Sequence, residues 1–126
     1  MNKHKLIYVD DENINLELFS YNLSGKYEVY TAESGMEGLH YLEKHPDIEV
    51  IISDMKMPKM NGIEFIKKAI KLLPAVKCFI LTGYDINPEI RDALENKIIL
   101  NCFFKPFEYE KIISGIDNAI NGRNKA

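Results

Sequence analysis

Short apolar runs alternate along the chain with longer segments of helical periodicity. Four of the runs are apolar without alternation, which is typical of strands buried on both faces of a sheet. They are Lys5–Val9, Val50–Ser53, Val76–Leu81 and a strand within Ile98–Phe104. A fifth run, Tyr27–Thr31, alternates apolar and polar residues and therefore predicts a more exposed edge strand.

Each run is followed by a segment whose apolar residues recur at helical spacing. The predicted helices span Asn13–Leu23, Glu33 to about His45, Gly62–Leu73, Pro88–Glu95 and Glu108–Asn121. In the second helix, Met36, Leu39 and Leu42 are expected to face the core. Strands that alternate with helices predict the α/β class, with a doubly wound parallel sheet of five strands and helices on both of its faces.

Carboxylates follow two of the predicted strands at the point where each strand ends. Asp10 and Asp11 come directly after the first strand, and Asp54 follows the third. Because the carboxyl ends of parallel strands lie at one edge of an open sheet, we expect these side chains to converge. A hard divalent cation with oxygen ligands, Mg²⁺ above all, relieves the repulsion between neighbouring carboxylates. The sequence therefore predicts an acidic metal site.

The fourth and fifth strands bring two further polar side chains to the same edge. Thr82 ends the fourth strand just before a glycine, and Lys105 follows the fifth. A site with three acids, a hydroxyl and an ammonium suits phosphoryl transfer to a carboxylate. In that chemistry Asp54 attacks phosphorus, Mg²⁺ neutralises the developing charge, and Thr82 and Lys105 hold phosphate oxygens.

The length, net charge and cysteine positions of the chain exclude several classes of function. The chain of 126 residues is long enough for a core of its own and is interpreted as a single domain, 1–126. A net charge of −3 gives no electrostatic footprint for nucleic acid. The sequence contains no apolar stretch typical of a membrane span or a signal peptide. Cys78 and Cys102 lie in apolar runs without metal-binding spacing, which predicts buried free thiols and a cytoplasmic location.

The ordered set of strand-end motifs resembles the receiver domain of two-component response regulators, and in particular the chemotaxis-regulator type. The residues that carry the resemblance are Asp10-Asp11-Glu12, Asp54-Met55-Lys56-Met57-Pro58-Lys59-Met60-Asn61-Gly62, Leu81-Thr82-Gly83 and Lys105-Pro106-Phe107. The resemblance covers the chain from Lys5 to about Ile120. It implies a flavodoxin-like sheet with the strand order 2-1-3-4-5, and a Lys105–Pro106 bond that is commonly cis in this family.

The resemblance also implies a role for each residue of the site. Asp54 is implied to accept a phosphoryl group from a histidine kinase or a histidine phosphotransfer protein. Asp11 and Asp54 are implied to ligate Mg²⁺ or Mn²⁺ directly. Asp10 is implied to act through water, and Lys56 to give its backbone carbonyl. Lys56 and Tyr84 occupy positions that tune the lifetime of the acyl phosphate in the family.

For the signalling output, the resemblance implies a change in binding to a downstream effector domain or protein. The chain is not expected to be an enzyme beyond its own phosphorylation and autodephosphorylation. Direct binding to nucleic acid or to membranes is not expected either.

The chain departs from the family pattern at Cys102. Many receivers have an aromatic residue three positions before the lysine, and its ring turns inward as the threonine moves. Here Cys102 takes that position and Phe103 follows it. Two interpretations stay open: the movement of Thr82 is transmitted without an aromatic switch, or the output leaves by another face, such as the first helix.

Functions from other classes fit the pattern less well. An interaction module that uses the receiver fold without phosphorylation would not require the complete set of strand-end polar residues. It is the alternative to the phosphorylated receiver. A Mg²⁺-dependent hydrolase with an aspartate nucleophile needs a general acid and substrate-capturing insertions, and the sequence offers neither. A flavodoxin-like cofactor binder needs glycines and hydroxyls after the first strand, where this chain is acidic.

Overall fold

One parallel sheet organises the chain. The computed structural model describes residues 3–83 and 85–122, so Tyr84 lies outside the described residues. In these ranges the strands β1 to β5 are Lys5–Val9, Glu28–Ala32, Val50–Asp54, Lys77–Thr82 and Asn101–Phe104. The helices α1 to α5 of the same ranges are Asn13–Leu23, Gly35–Lys44, Gly62–Leu72, Pro88–Glu95 and Tyr109–Ile120. The strands run parallel in the order β2-β1-β3-β4-β5, which confirms the predicted fold class and strand order.

Each strand sends alternate side chains to opposite faces of the sheet, so two cores form. Ile51 of β3 packs in the core covered by α2, α3 and α4, and its neighbour Ile52 packs in the core covered by α1 and α5. β3 is buried along its whole length, whereas β2, at one edge of the sheet, is mostly half-buried. This difference explains the continuous apolar run of β3 and the alternation in β2. Among the described helices, none has the length and apolar character that a membrane crossing requires.

Side-chain caps set the starts of three helices. The side chains of Ser34, Asn61 and Asn87 each accept a hydrogen bond from the backbone N–H three residues further on, at α2, α3 and α4 respectively. At α3 the cap is reciprocal, because Glu64 accepts a hydrogen bond of 2.8 Å from the N–H of Asn61. The caps fix where each loop ends and so hold the loops after β3 and β4 at the edge of the sheet.

The buried face of α2 differs from the prediction. The expectation that Met36 faces the core is wrong, because its side chain is 68% exposed. The predictions for Leu39 and Leu42 are confirmed, because Leu42 is fully buried and Leu39 packs against the same core, and Gly35 and Gly38 complete the buried face. A Cβ at Gly38 would lie 2.8 Å from the ring of Phe65 in α3, so the glycine lets the two helices approach closely. Glycine carries no hydrophobic signal, and the sequence pattern therefore did not predict this contact.

The last strand is shorter than the apolar run that contains it. Ile98 belongs to a turn that closes on α4, where its N–H donates to the carbonyl of Ala93 at 2.8 Å. Strand pairing begins only at Asn101. Both cysteines, Cys78 and Cys102, are buried and free, as predicted.

Gly62 packs directly against the backbone of β3. A Cβ at this position would lie 2.4 Å from the carbonyl oxygen of Asp54 and 2.8 Å from Cδ1 of Ile80. We expect Gly62→Ala to lower the free energy of unfolding by about 2–3 kcal/mol, because the backbone next to the strand end must shift. Urea unfolding followed by circular dichroism measures the loss.

Gly25→Ala is the matched control for this substitution. Nothing lies within 4 Å of a Cβ at Gly25, so the change should stay within about 1 kcal/mol of the wild type. Equal losses for the two variants would contradict the explanation by close packing.

Candidate functional site

The three carboxylates that were predicted to converge lie together at the carboxyl edge of the sheet. Val9 of β1 pairs with Ser53 of β3, so Asp10 and Asp54 lie side by side at the strand ends. One carboxylate oxygen from each of Asp10, Asp11 and Asp54 lies within 4.8 Å of the others. Asp10 is fully buried and Asp54 is only 6% exposed, whereas Asp11 is exposed. The cluster therefore combines buried negative charge with an open side.

Three hydrogen-bond donors hold the carboxylate of Asp10. The hydroxyl of Tyr8 donates to Oδ2 at 2.5 Å, Nδ2 of Asn15 donates to the same oxygen at 3.1 Å, and the N–H of Glu12 donates to Oδ1 at 3.0 Å. Sequence reasoning did not identify Tyr8 or Asn15. The available signal was a hydroxyl inside an otherwise apolar strand, because a buried tyrosine hydroxyl usually has a hydrogen-bond partner.

Lys105 brings a positive charge into the cluster. Its Nζ lies 2.9 Å from Oδ1 of Asp54 and 3.7 Å from Oδ2 of Asp10. Its backbone N–H donates to the carbonyl of Thr82 at 2.9 Å, which links the segment after β5 to the end of β4. Burial opposes the charged form, but the interactions with the two carboxylates outweigh it and raise the pKa of Lys105. The Lys105–Pro106 bond is cis, as the family resemblance implies.

The acidity of Asp54 is perturbed by its surroundings. Burial raises the pKa of its carboxyl to about 6; the hydrogen bond from Lys105 limits this rise, and repulsion from Asp10 and Asp11 adds to it. A carboxylate in this environment is stabilised strongly by any cation that comes close to it.

Thr82 and Lys56 lie on either side of a cleft next to the carboxylates. Thr82 ends β4 and is 5% exposed, and Lys56 is exposed two residues after β3. The cleft, of about 710 Å³, runs between the loops after β3 and β4. Its other lining residues are Asp11, Met55, Met57, Pro58, Asn61, Asp85, Asn87 and Glu89. The cleft gives a ligand a route from solvent to the exposed side of the cluster.

The donor set at the strand ends fits a hard divalent cation. Carboxylate oxygens are the ligands that Mg²⁺ and Mn²⁺ prefer, and three carboxylates converge here. Asp11 faces the cleft, whereas Asp10 is buried and already accepts three hydrogen bonds. This difference is compatible with direct ligation by Asp11 and an indirect contribution from Asp10.

Phe103 is the buried aromatic residue of β5. It lies on the opposite face of the sheet from Cys102, which takes the position of the usual aromatic switch. Cys102 packs in the core that α2, α3 and α4 cover, and Phe103 points to the other core, where it stacks on Phe79 with 5.5 Å between ring centroids. A Cβ at Gly115 of α5 would lie 2.8 Å from the Phe103 ring, so the glycine leaves space for that ring. The ring of Phe103 is thus held under α5 and not beside α4.

Comparison with known proteins agrees with the fold. Residues 6–117 match the family model of the response regulator receiver domain. A chemotaxis protein CheY homolog of Campylobacter jejuni is 34% identical over 107 residues, which cover 82% of this chain and 82% of the relative. The transcriptional regulatory protein GlrR of Escherichia coli is 31% identical over 116 residues, or 91% of this chain and 26% of the relative. The crystal structure of a response regulator receiver domain protein from Clostridium thermocellum superposes with a TM-score of 0.84 at 31% identity, over 95% of this chain and 96% of that one.

The fold and the strand-end site thus define a signalling receiver. The chain belongs to the response regulator receiver domain family of two-component systems. It spans about a quarter of the length of GlrR.

The raised pKa of Asp54 predicts that stability depends on pH in the absence of metal. The folded state binds the proton of this carboxyl more tightly than the unfolded chain, so the free energy of unfolding falls as the pH rises from about 4 to about 6. Asp54→Asn removes this dependence. The stability of the variant relative to the wild type should therefore increase by about 1–2 kcal/mol between pH 4 and pH 7. Urea unfolding in EDTA at both pH values measures the difference, and a difference that is independent of pH would contradict the assignment.

Proposed function

We propose that the chain accepts a phosphoryl group on Asp54 from a phosphohistidine of a histidine kinase or a histidine phosphotransfer protein. The observation that carries the proposal is the contact of 2.9 Å between Nζ of Lys105 and Oδ1 of Asp54, inside a cluster of three carboxylates. Burying charged groups costs free energy, and strongly perturbed carboxylates in a cleft are more typical of a reactive site than of a passive binding module.

The transfer is a displacement at phosphorus. A carboxylate oxygen of Asp54 forms the new P–O bond, the P–N bond to the donor imidazole breaks, and the leaving nitrogen takes a proton from solvent. The ammonium of Lys105 and the hydroxyl of Thr82 bind phosphoryl oxygens. The groups that would hold Mg²⁺ or Mn²⁺ are Asp11, Asp54, Asp10 through water, and the backbone carbonyl of Lys56. The cation, when bound, supplies positive charge next to the phosphoryl oxygens.

Phosphorylation changes the charge and the hydrogen bonding at the strand ends. The ammonium of Lys105, which contacts the free carboxylate, then bonds to a phosphoryl oxygen, and the hydroxyl of Thr82 bonds to another. Because the N–H of Lys105 is bonded to the carbonyl of Thr82, the ends of β4 and β5 respond together. This response alters the loop after β4 and the neighbouring surface of α4, where a downstream effector domain or protein binds. With Cys102 in the core that α2, α3 and α4 cover, the response reaches the surface without an aromatic switch.

The relatives indicate two kinds of output. The CheY homolog is named as a chemotaxis protein and GlrR as a transcriptional regulatory protein. By analogy, this chain passes its signal to a partner protein or to an attached effector domain, and does not itself contact nucleic acid. Its own catalysis is confined to the phosphorylation and dephosphorylation of Asp54.

Acetyl phosphate provides the direct test. With Mg²⁺ present, the wild type should gain the mass of one phosphoryl group in intact-protein mass spectrometry, because a carboxylate paired with an ammonium is positioned for attack. EDTA should abolish the gain, and so should Asp54→Ala. Asp92→Asn, which removes an exposed carboxylate on α4, should be labelled like the wild type.

Two other results would change the conclusion. A mass gain that persists in Asp54→Ala would move the acceptor to another residue. A wild type that takes up no phosphoryl group and shows no change in its amide NMR spectrum with beryllofluoride and Mg²⁺ would favour the phosphorylation-independent interaction module.

A further inference from the structure

Tyr8 places a phenol hydroxyl against the most deeply buried carboxylate of the site. The residue lies within β1, has no exposed surface, and donates to Oδ2 of Asp10 at 2.5 Å. None of the steps proposed above uses this hydroxyl. Its neighbours in the strand, Ile7 and Val9, are apolar and buried, so Tyr8 brings a polar group into a strand that is otherwise apolar here.

The ring of Tyr8 is held so that the hydroxyl has a fixed direction. It stacks on Phe19 of α1, with 4.2 Å between ring centroids and 19° between ring planes. Phe107 contacts it edge-on at 6.1 Å. A ring that is packed on one face and at its edge in this way cannot swing its hydroxyl away from Asp10 without disturbing the core. The bond is therefore part of a rigid arrangement.

The hydrogen bonds leave the carboxylate of Asp10 with little capacity for a further partner. Its Oδ2 accepts from Tyr8 and from Nδ2 of Asn15, and Nζ of Lys105 lies 3.7 Å from the same oxygen. Its Oδ1 accepts from the N–H of Glu12 at 3.0 Å. A carboxylate has about four lone-pair sites, so one site, on Oδ1, is left for a cation or for a water bound to it.

We propose that Tyr8 is a positioning residue that keeps Oδ2 of Asp10 from ligating the divalent cation directly. The inference rests on the proposed function, because it assumes that the strand-end carboxylates hold a divalent cation. By occupying Oδ2 together with Asn15, the phenol limits Asp10 to the one open site on Oδ1, whereas Asp11 and Asp54 remain the main direct ligands. The roles of the two adjacent aspartates are then divided by a residue that precedes both of them on the same strand.

Thermodynamic linkage between folding and cation binding predicts how loss of the Tyr8 hydroxyl changes the affinity for the cation. Without a cation, the hydrogen bond from Tyr8 is a main compensation for the buried charge of Asp10. With a cation in the cluster, that charge has a second compensation, and the hydrogen bond matters less. Loss of the hydroxyl therefore destabilises the cation-free protein more than the loaded protein, and the difference must appear as tighter binding of the cation.

Tyr8→Phe is the test, because it keeps the packed ring and removes only the hydroxyl. Titration with Mg²⁺ at pH 7.5, followed by isothermal calorimetry and by amide NMR shifts, gives the dissociation constant. We expect Tyr8→Phe to bind Mg²⁺ more tightly than the wild type, on the order of fivefold. Its melting temperature should fall clearly in EDTA and recover a large part of the loss in saturating Mg²⁺.

Tyr27→Phe is the matched control. Tyr27 is 2% exposed and its hydroxyl donates to Oδ1 of Asp117 at 2.6 Å, at the opposite edge of the sheet. This substitution should lower the melting temperature by the same amount with and without Mg²⁺ and leave the Mg²⁺ affinity unchanged.

Asn15→Ala is a second variant in case Tyr8→Phe folds poorly. It removes the other side-chain donor to Oδ2 of Asp10 from a half-buried position on α1, and it should also tighten Mg²⁺ binding. An unchanged or weakened Mg²⁺ affinity in Tyr8→Phe, or in Asn15→Ala where the first variant is unfolded, overturns the inference and leaves the proposed function intact. A wild type that binds no Mg²⁺ overturns the cation site itself, and the inference falls with it.

Discussion

Concentrated negative charge at one edge of the sheet is the constraint on which the rest of the structure depends. The pairing of β1 with β3 places Asp10 and Asp54 side by side, and both are almost fully buried. The chain compensates this charge with the ion pair from Lys105 and with the three donors to Asp10. The compensation is incomplete, as the raised pKa of Asp54 indicates. Because the negative charge of Asp10 and Asp54 is only partly compensated, the electrostatic energy of the site changes with any added cation or phosphoryl group.

The rest of the fold holds this edge in place. Strands buried on both faces give the carboxylates rigid supports, and reciprocal capping at Asn61 and Glu64 fixes the loop that follows Asp54. Gly62 lets that loop return against β3, where a side chain would meet the carbonyl of Asp54. This rigid edge keeps the three carboxylates and Lys105 close to one another.

Two features determine where aromatic rings lie in this chain. The first is the hydroxyl of Tyr8, which links Asp10 to the aromatic packing of Phe19 and Phe107 between the sheet and α1. The second is the exchange of sides in β5, where Cys102 lies in the core that α2, α3 and α4 cover and Phe103 lies under α5. Both features place aromatic rings in the core that α1 and α5 cover.

The sequence by itself determined the α/β class, the order of the elements and the convergence of three carboxylates with Lys105 at one edge. It could do so because a parallel strand buried on both faces leaves a continuous apolar run, and polar residues begin where the strand ends. It correctly placed Leu39 and Leu42 on the inner face of α2 but wrongly added Met36, since Met36 carries a hydrophobic signal and Gly35 and Gly38 do not. Only the tertiary structure decided which polar group pairs with which, as for Lys105 with Asp54 or Tyr27 with Asp117. Such pairs join residues that are far apart in the chain, and their geometry depends on how the helices pack against the sheet, which no local pattern records.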